Sequence, residues 1–218
     1  MLTNITGSGW SRRNIAARFI SDVANPFFLA PAVLMVLAVF HHFSLWQLTG
    51  ILLLSILFYT LIPLVVLLLW QRSTNSTDYD LIEREQRLAP YAAVMLSYGL
   101  GGLLIIWVTP ENSTYIKYAA LCYLLNPLIG FLITLGWKVS LHSASVGTAL
   151  GILFWYPTVM HSSALFLMVY YSLLIGLFTL LPIMMWSRLQ LNVHTFNQVV
   201  AGALLGFFVS SGVLTYMI

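Results

Sequence analysis

Apolar residues run along this chain in long blocks rather than in alternation. Blocks fall at about residues 26–43, 45–70, 89–108, 115–136, 142–157, 164–186 and 196–217. Most approach the roughly 20 residues that a helix needs to cross a bilayer. The pattern predicts an all-α fold, a polytopic membrane helical bundle of about seven transmembrane helices. A membrane barrel would instead show strands of roughly ten residues with alternating polarity. Residues 1–25 precede the first block and are polar, with a short surface helix expected over 11–25, its arginines on one side and Ile15, Phe19 and Ile20 on the other. That lead-in is long for a cleaved signal, so the first span is expected to be retained. Only residues 71–88 form a substantial polar loop, and the chain 1–218 reads as a single integral membrane domain.

Seven spans put the N-terminus and the loops after spans two, four and six on one face. Those loops contain "DYDLIEREQRLAP", "WKVSLHS" and "SRLQLNVH", and they hold nearly every charge near the apolar blocks. The other face offers Lys117, Glu111 and His161. Arg12, Arg13, Arg18 and Arg72 share the charged face, so the positive-inside rule makes that face cytoplasmic. Two blocks open on small residues four apart, Gly147 and Gly151 in "GTALG" and Gly202 and Gly206 in "GALLG". Such spacing lets helices approach closely in a membrane. Each follows a histidine, so packing of these helix starts would bring His142 and His194 together.

Composition sharpens this picture. Hydrophobic residues make up 60% and charged residues 7% of the chain, against about 25% charged in soluble domains; mean hydropathy is +0.92. Nine basic residues, scattered, are too few for a nucleic-acid groove, so no nucleic-acid partner is expected. The single cysteine, Cys122, allows no intrachain disulfide.

The charged face carries the candidate chemistry. Arg188 and His194 are six apart, about 240° around a continuous helix, so they share a face only if the chain breaks between them, and Asn192 is a fitting break. His194 and Gln198 are one turn apart, which lets the amide orient the imidazole. Ser140 or Ser143 caps the block that follows, and a helix start beside Lys138 and Ser140 is a seat for a phosphate. Arg84 and Arg87 share a helical face; Asp80 and Glu83 stand four residues before them and would pair with them on a solvated turn.

These residues resemble the three signatures of the type-2 phosphatidic-acid phosphatase superfamily. The third, Ser-Arg-x5-His-x3-Asp, is met at Ser187, Arg188 and His194, with Gln198 in the place of Asp. The second, Pro-Ser-Gly-His, is met at Ser140 and His142, with Val139 and Leu141 at the other positions. The first, Lys-x6-Arg-Pro, is met only at Arg87; Asp80 stands where Lys belongs, Pro90 comes two residues late, and Arg84 would supply the missing charge. The likeness spans about residues 78–206, and "HTFNQVVAG" is similar to short bacterial members that carry Gln instead of Asp. It implies a six-helix phosphatase-type core in a bacterial inner membrane, with one added hairpin between the first two signatures.

The resemblance further implies a membrane phosphatase acting on a lipid phosphate or a polyprenyl phosphate or diphosphate. His194 would attack phosphorus and form a phosphohistidine, and His142 would protonate the leaving oxygen. Arg188, Lys138, Ser140, Arg84 and Arg87 would hold the phosphate oxygens, with no metal and no cofactor. A neutral Gln198 orients the ring without stabilising the imidazolium as a carboxylate does. The alternative is a non-catalytic carrier or flippase for an anionic phospholipid or polyprenyl phosphate, using the same basic seat. A magnesium-dependent prenyltransferase would need paired Asp-rich motifs, and "DYD" is one such cluster.

Overall fold

A computed structural model describes residues 12–74, 84–156 and 164–216. Among the described residues the chain is helical with no strand. The elements are α1 (Arg12–Val23), α2 (Pro26–Phe40), α3 (Leu45–Ile56), a π-helical turn (Leu57–Leu61), α4 (Ile62–Thr74), α5 (Arg84–Val108), α6 (Thr114–Thr134), α7 (Leu141–Phe154), α8 (Ala164–Gln190) and α9 (Phe196–Thr215). Among the described residues, five helices are long and apolar enough to cross a membrane: Leu45–Thr74, Leu88–Val108, Thr114–Thr134, Leu167–Gln190 and Phe196–Thr215. A sixth exists if α1 and α2, bent by 46° at their junction, count as one span.

This differs from the seven spans read from the pattern. The block at 142–157 becomes α7, only 14 residues long, or about 21 Å at 1.5 Å per residue. It is buried on almost every side, from Ser143 through Leu153 except at Ser145. A helix that faces protein all round is as apolar as one that faces lipid, so hydropathy alone does not separate the two.

What surrounds α7 explains its burial. Its most extensive interface is with α9, and the four glycines are the reason. A Cβ on Gly147 would strike the Ala203 carbonyl, and one on Gly206 would strike the Ala144 carbonyl. Likewise Gly202 lies against the Ser140 carbonyl and Gly151 against that of Phe207. Backbones this close trade side-chain bulk for dispersion contact along the crossing.

Prolines inside helices leave carbonyls without their usual donor, and each apolar helix must meet that demand from a neighbour. Pro31 cannot donate to Phe27, and the Thr60 hydroxyl does so instead at 2.6 Å. Pro63 leaves Phe58 and Tyr59 short, beside the π-helical turn. Ser97 Oγ donates to the Phe58 carbonyl at 2.6 Å. The Tyr98 hydroxyl lies 3.3 Å from the carbonyls of both Tyr59 and Pro26 and shares its hydrogen between them. These bonds tie the start of α2, the π-helical turn and α5 into one block.

Candidate functional site at the starts of α7 and α9

The third signature straddles a helix end. After Gln190 the chain turns through Asn192, whose φ of 56° is left-handed. Val193 N–H bonds back to the Arg188 carbonyl at 3.3 Å and Asn192 N–H to that of Leu189 at 3.0 Å. This pair of bonds is a Schellman ending, which asparagine tolerates at its left-handed position. The break at Asn192 expected from the spacing is therefore real. It puts Arg188 at the end of α8 and His194 just ahead of α9.

Arg188 is 2% exposed. A buried guanidinium is costly unless hydrogen-bonded, and Nη1 donates to Ser21 Oγ at 2.6 Å. Next to it, Ser187 Oγ donates to the Ala17 carbonyl at 2.7 Å. These two bonds dock α1 on the end of α8. Ala17 and Ser21, four apart, are its buried stripe, while Ile15, Phe19 and Val23 are exposed. The segment expected as a surface helix is thus partly interior.

His194 is nearly buried, and its Nδ1 lies 3.1 Å from Gln198 Oε1. The same oxygen accepts the Thr195 backbone N–H at 3.1 Å. A backbone N–H is always a donor, so the amide atom it meets is the oxygen, and the imidazole atom facing that oxygen must carry the proton. Nδ1 is therefore protonated in the neutral ring, and Nε2 keeps its lone pair. Lys138 Nζ donates to the Val193 carbonyl at 2.7 Å, one residue from His194.

The second signature is laid directly on α9. Ser140 N–H donates to the Gln198 carbonyl at 3.2 Å. Ser140 caps α7: its Oγ accepts from Ser143 N–H at 3.4 Å and lies 3.2 Å from Ser143 Oγ. Its side chain is fully buried, so capping is the role the geometry shows for it. Two residues on, His142 lines a cavity of about 170 Å³ with Arg18, Ser21, Asp22, Asn25 and Gln71. Ser21 is shared between this cavity and Arg188. Asp22 brings a negative charge to the same wall, so attraction for an anion depends on Arg18, Arg188 and a protonated His142 together.

The sequence-predicted residues thus fall in two adjoining groups. His142 faces the cavity beside α1, while His194, Gln198 and Lys138 gather at the α8–α9 turn; the Ser140–Gln198 and Val193–Arg188 backbone bonds join them. Arg84 and Arg87 lie in the first turn of α5, and their side chains fall outside the described residues. Sequence reasoning missed Arg18, Ser21 and Asn25. The signal was present: Ala17 and Ser21 have the same four-residue small-residue spacing as the glycine pairs, in a helix that otherwise looked peripheral. Among the described residues no group of three or more His, Cys, Asp or Glu side chains stands where a metal could be held.

Comparison with protein-family models, with curated proteins and with solved structures finds no match to this chain.

Proposed function

We propose that this protein is a membrane phosphatase that hydrolyses a lipid phosphate, or a polyprenyl phosphate or diphosphate, through a phosphohistidine on His194. The observation that carries the reading is the fixed tautomer of His194. A neutral imidazole with Nδ1 protonated has its lone pair on Nε2, the form that attacks phosphorus.

In the first step the Nε2 lone pair forms a bond to phosphorus and the bond from phosphorus to the lipid oxygen breaks. His142, protonated, gives its proton to the departing oxygen, so the lipid leaves as an alcohol. A water then attacks phosphorus as His142 takes its proton, the P–N bond breaks, and inorganic phosphate leaves with His194 restored. Arg18 and His142 at the cavity, Arg188 behind Ser21, and Lys138 at the turn supply the positive charge. Arg84 and Arg87 at the start of α5 complete the set. Placement at helix ends lets the phosphate sit at the membrane surface while the tail stays in lipid. The charge asymmetry favours the cytoplasmic face for this surface, and the resemblance implies a bacterial inner membrane.

The test is phosphate release by the purified protein from phosphatidate, phosphatidylglycerol phosphate, and polyprenyl mono- and diphosphate, with a chelator present. Release that disappears in His194→Ala supports the reading. Binding of these lipids without release of phosphate would instead favour a carrier, and release unchanged in His194→Ala would overturn the mechanism.

A further inference from the structure

The cavity of His142 has an amphiphilic wall. At about 170 Å³ it exceeds by roughly tenfold the 15 Å³ or so that one water requires. Two side-chain amides line it, Asn25 at the start of α2 and Gln71 near the end of α4. Both residues are partly exposed, as are Arg18 and His142 in the same wall. α4 supplies Leu64, Leu67, Leu68 and Gln71, a spacing that puts all four on one helical face. It therefore turns towards the cavity a hydrocarbon stripe that ends in an amide, next to Arg72 at the charged end of the helix.

Asn25 is fixed in orientation. Its Oδ1 accepts the Phe27 N–H at 3.0 Å and so caps α2. A backbone N–H is always a donor, so the atom it meets is the oxygen and Nδ2 is left with two N–H donors. Capping uses only the oxygen, and a serine or an aspartate would cap as well. The donors are surplus to it. Neither Nδ2 nor the Gln71 amide bonds to any group among the described residues, and neither is sealed from solvent. The backbone offers a ligand nothing at this helix start. Pro26 has no N–H, and those of Phe27, Phe28 and Leu29 are all taken by Asn25. Neutral donors matter in this cavity, because the Asp22 carboxylate in its wall offsets one positive charge.

We infer that Asn25 and Gln71 hold the phosphate oxygens of an alkyl phosphate in this cavity, with its chain laid along Leu64, Leu67 and Leu68. This adds two substrate-binding residues to the site of the phosphatase reading, and it rests on that reading for turnover but not for binding. Phosphate oxygens accept hydrogen bonds, and a bond to an anion is about twice as strong as one between neutral groups. Asn25 Nδ2 meets one oxygen. Gln71, whose amide no neighbour constrains, turns Nε2 to another. The leucines suit the hydrocarbon that follows, and Leu68, half-exposed on the outside of its span, carries the chain on towards lipid.

The experiment needs no turnover. Radiolabelled octylphosphonate, whose C–P bond resists hydrolysis, is titrated against the full chain in detergent. Asn25→Ser keeps a cap and loses the amide, and it should weaken binding about tenfold, the effect of one hydrogen bond to a charged group. Asn25→Asp also keeps the cap but sets an anion against the phosphate, and it should weaken binding further. Gln71→Leu should weaken it about tenfold as well. The melting temperature should stay within about 2 °C in both Asn25 variants, since the three residues cap about equally well. Unchanged binding in both, or weaker binding only alongside a fall in melting temperature, would overturn the inference and leave Asn25 as a cap. Inorganic phosphate should compete only at concentrations about a hundredfold higher, since it forgoes the burial of roughly three or four methylene groups. Equal competition would overturn the alkyl assignment and make free phosphate the ligand. Amide-dependent binding in a protein that releases no phosphate from phosphatidate would keep this site and discard the phosphatase reading. Release that is indifferent to both Asn25 variants would do the opposite.

Discussion

His41 and His194 sit at opposite ends of the molecule, and each has Nδ1 in a hydrogen bond. His194 faces a carbonyl oxygen that a backbone N–H has already fixed as an acceptor, so its protonation pattern is determined. His41 faces the Tyr156 hydroxyl at 3.0 Å, a group that donates as readily as it accepts, so neither tautomer is selected. His41 also stacks on Tyr156 with ring centres 5.7 Å apart, and Tyr115 packs edge-on against that tyrosine. Burial in this aromatic cluster, and then the charge of His42, lowers the pKa of His41. One histidine has a defined protonation pattern near Lys138; the other is part of a packed aromatic cluster. Residue type and a hydrogen bond to Nδ1 are common to both, so the chemistry lies in what the partner is itself bonded to.

The largest test of this contrast is deletion of each ring. His194→Ala should lower phosphate release by at least about a thousandfold, the scale of losing a covalent nucleophile. His41→Ala should leave release within about twofold. Comparable losses in both would erase the distinction.

Packing beneath the two regions provides the next test. Gly202 lies against the Ser140 carbonyl under the His194 end, while a methyl group added to Gly50 in α3 would meet no described atom within 4 Å. Gly202→Val should cost roughly 2–3 kcal/mol of stability, because backbone rather than a movable side chain must yield. Gly50→Ala should be neutral or stabilise by up to about 1 kcal/mol. Thermal unfolding in one detergent measures both, and a harmless Gly202→Val would show that the α7–α9 crossing is loose.

A finer test acts on the tautomer. Gln198→Leu should reduce turnover about tenfold, the higher end of what one lost hydrogen bond yields, with substrate affinity little changed. Gln198→Glu puts a carboxylate beside the ring and favours the imidazolium. It should move the acid limb of the pH–rate profile upward, since His194 must be neutral to attack. A profile that stays in place in both variants would detach Gln198 from the chemistry.

The smallest effect belongs to the far end. A histidine whose pKa is lower in the folded than in the unfolded protein contributes stability above its unfolded value of 6.5, and that contribution is lost as the pH falls through the folded value. The melting temperature should therefore decline between about pH 7.5 and 5, and His41→Gln should flatten that part of the curve. An identical decline in the variant would assign the dependence to other groups.

Much of the architecture is legible in the sequence because apolar blocks, glycine spacing and helix-ending residues act locally. The α7–α9 crossing is written in Gly147, Gly151, Gly202 and Gly206, and the turn at Asn192 follows from the angular distance between Arg188 and His194. The one-turn spacing of His194 and Gln198 likewise anticipated their contact. What failed was the distinction between lipid and protein as surroundings. The 142–157 block and the small residues of α1 were read against the wrong neighbour, because transfer of an apolar group from water gains similar free energy whichever apolar medium receives it.

The sequence by itself determined the helical class, the gathering of charge on one set of loops, and the break that separates Arg188 from His194. Each depends on residues near one another along the chain. Only the tertiary structure decided that α7 is a short central helix and that α1 brings Arg18 and Ser21 to the cavity of His142. It also decided which donor meets each carbonyl left open by Pro31 and Pro63. Those partners come from helices tens of residues away, and in an apolar interior, where no water can substitute, the pairing is settled by which helices pack together.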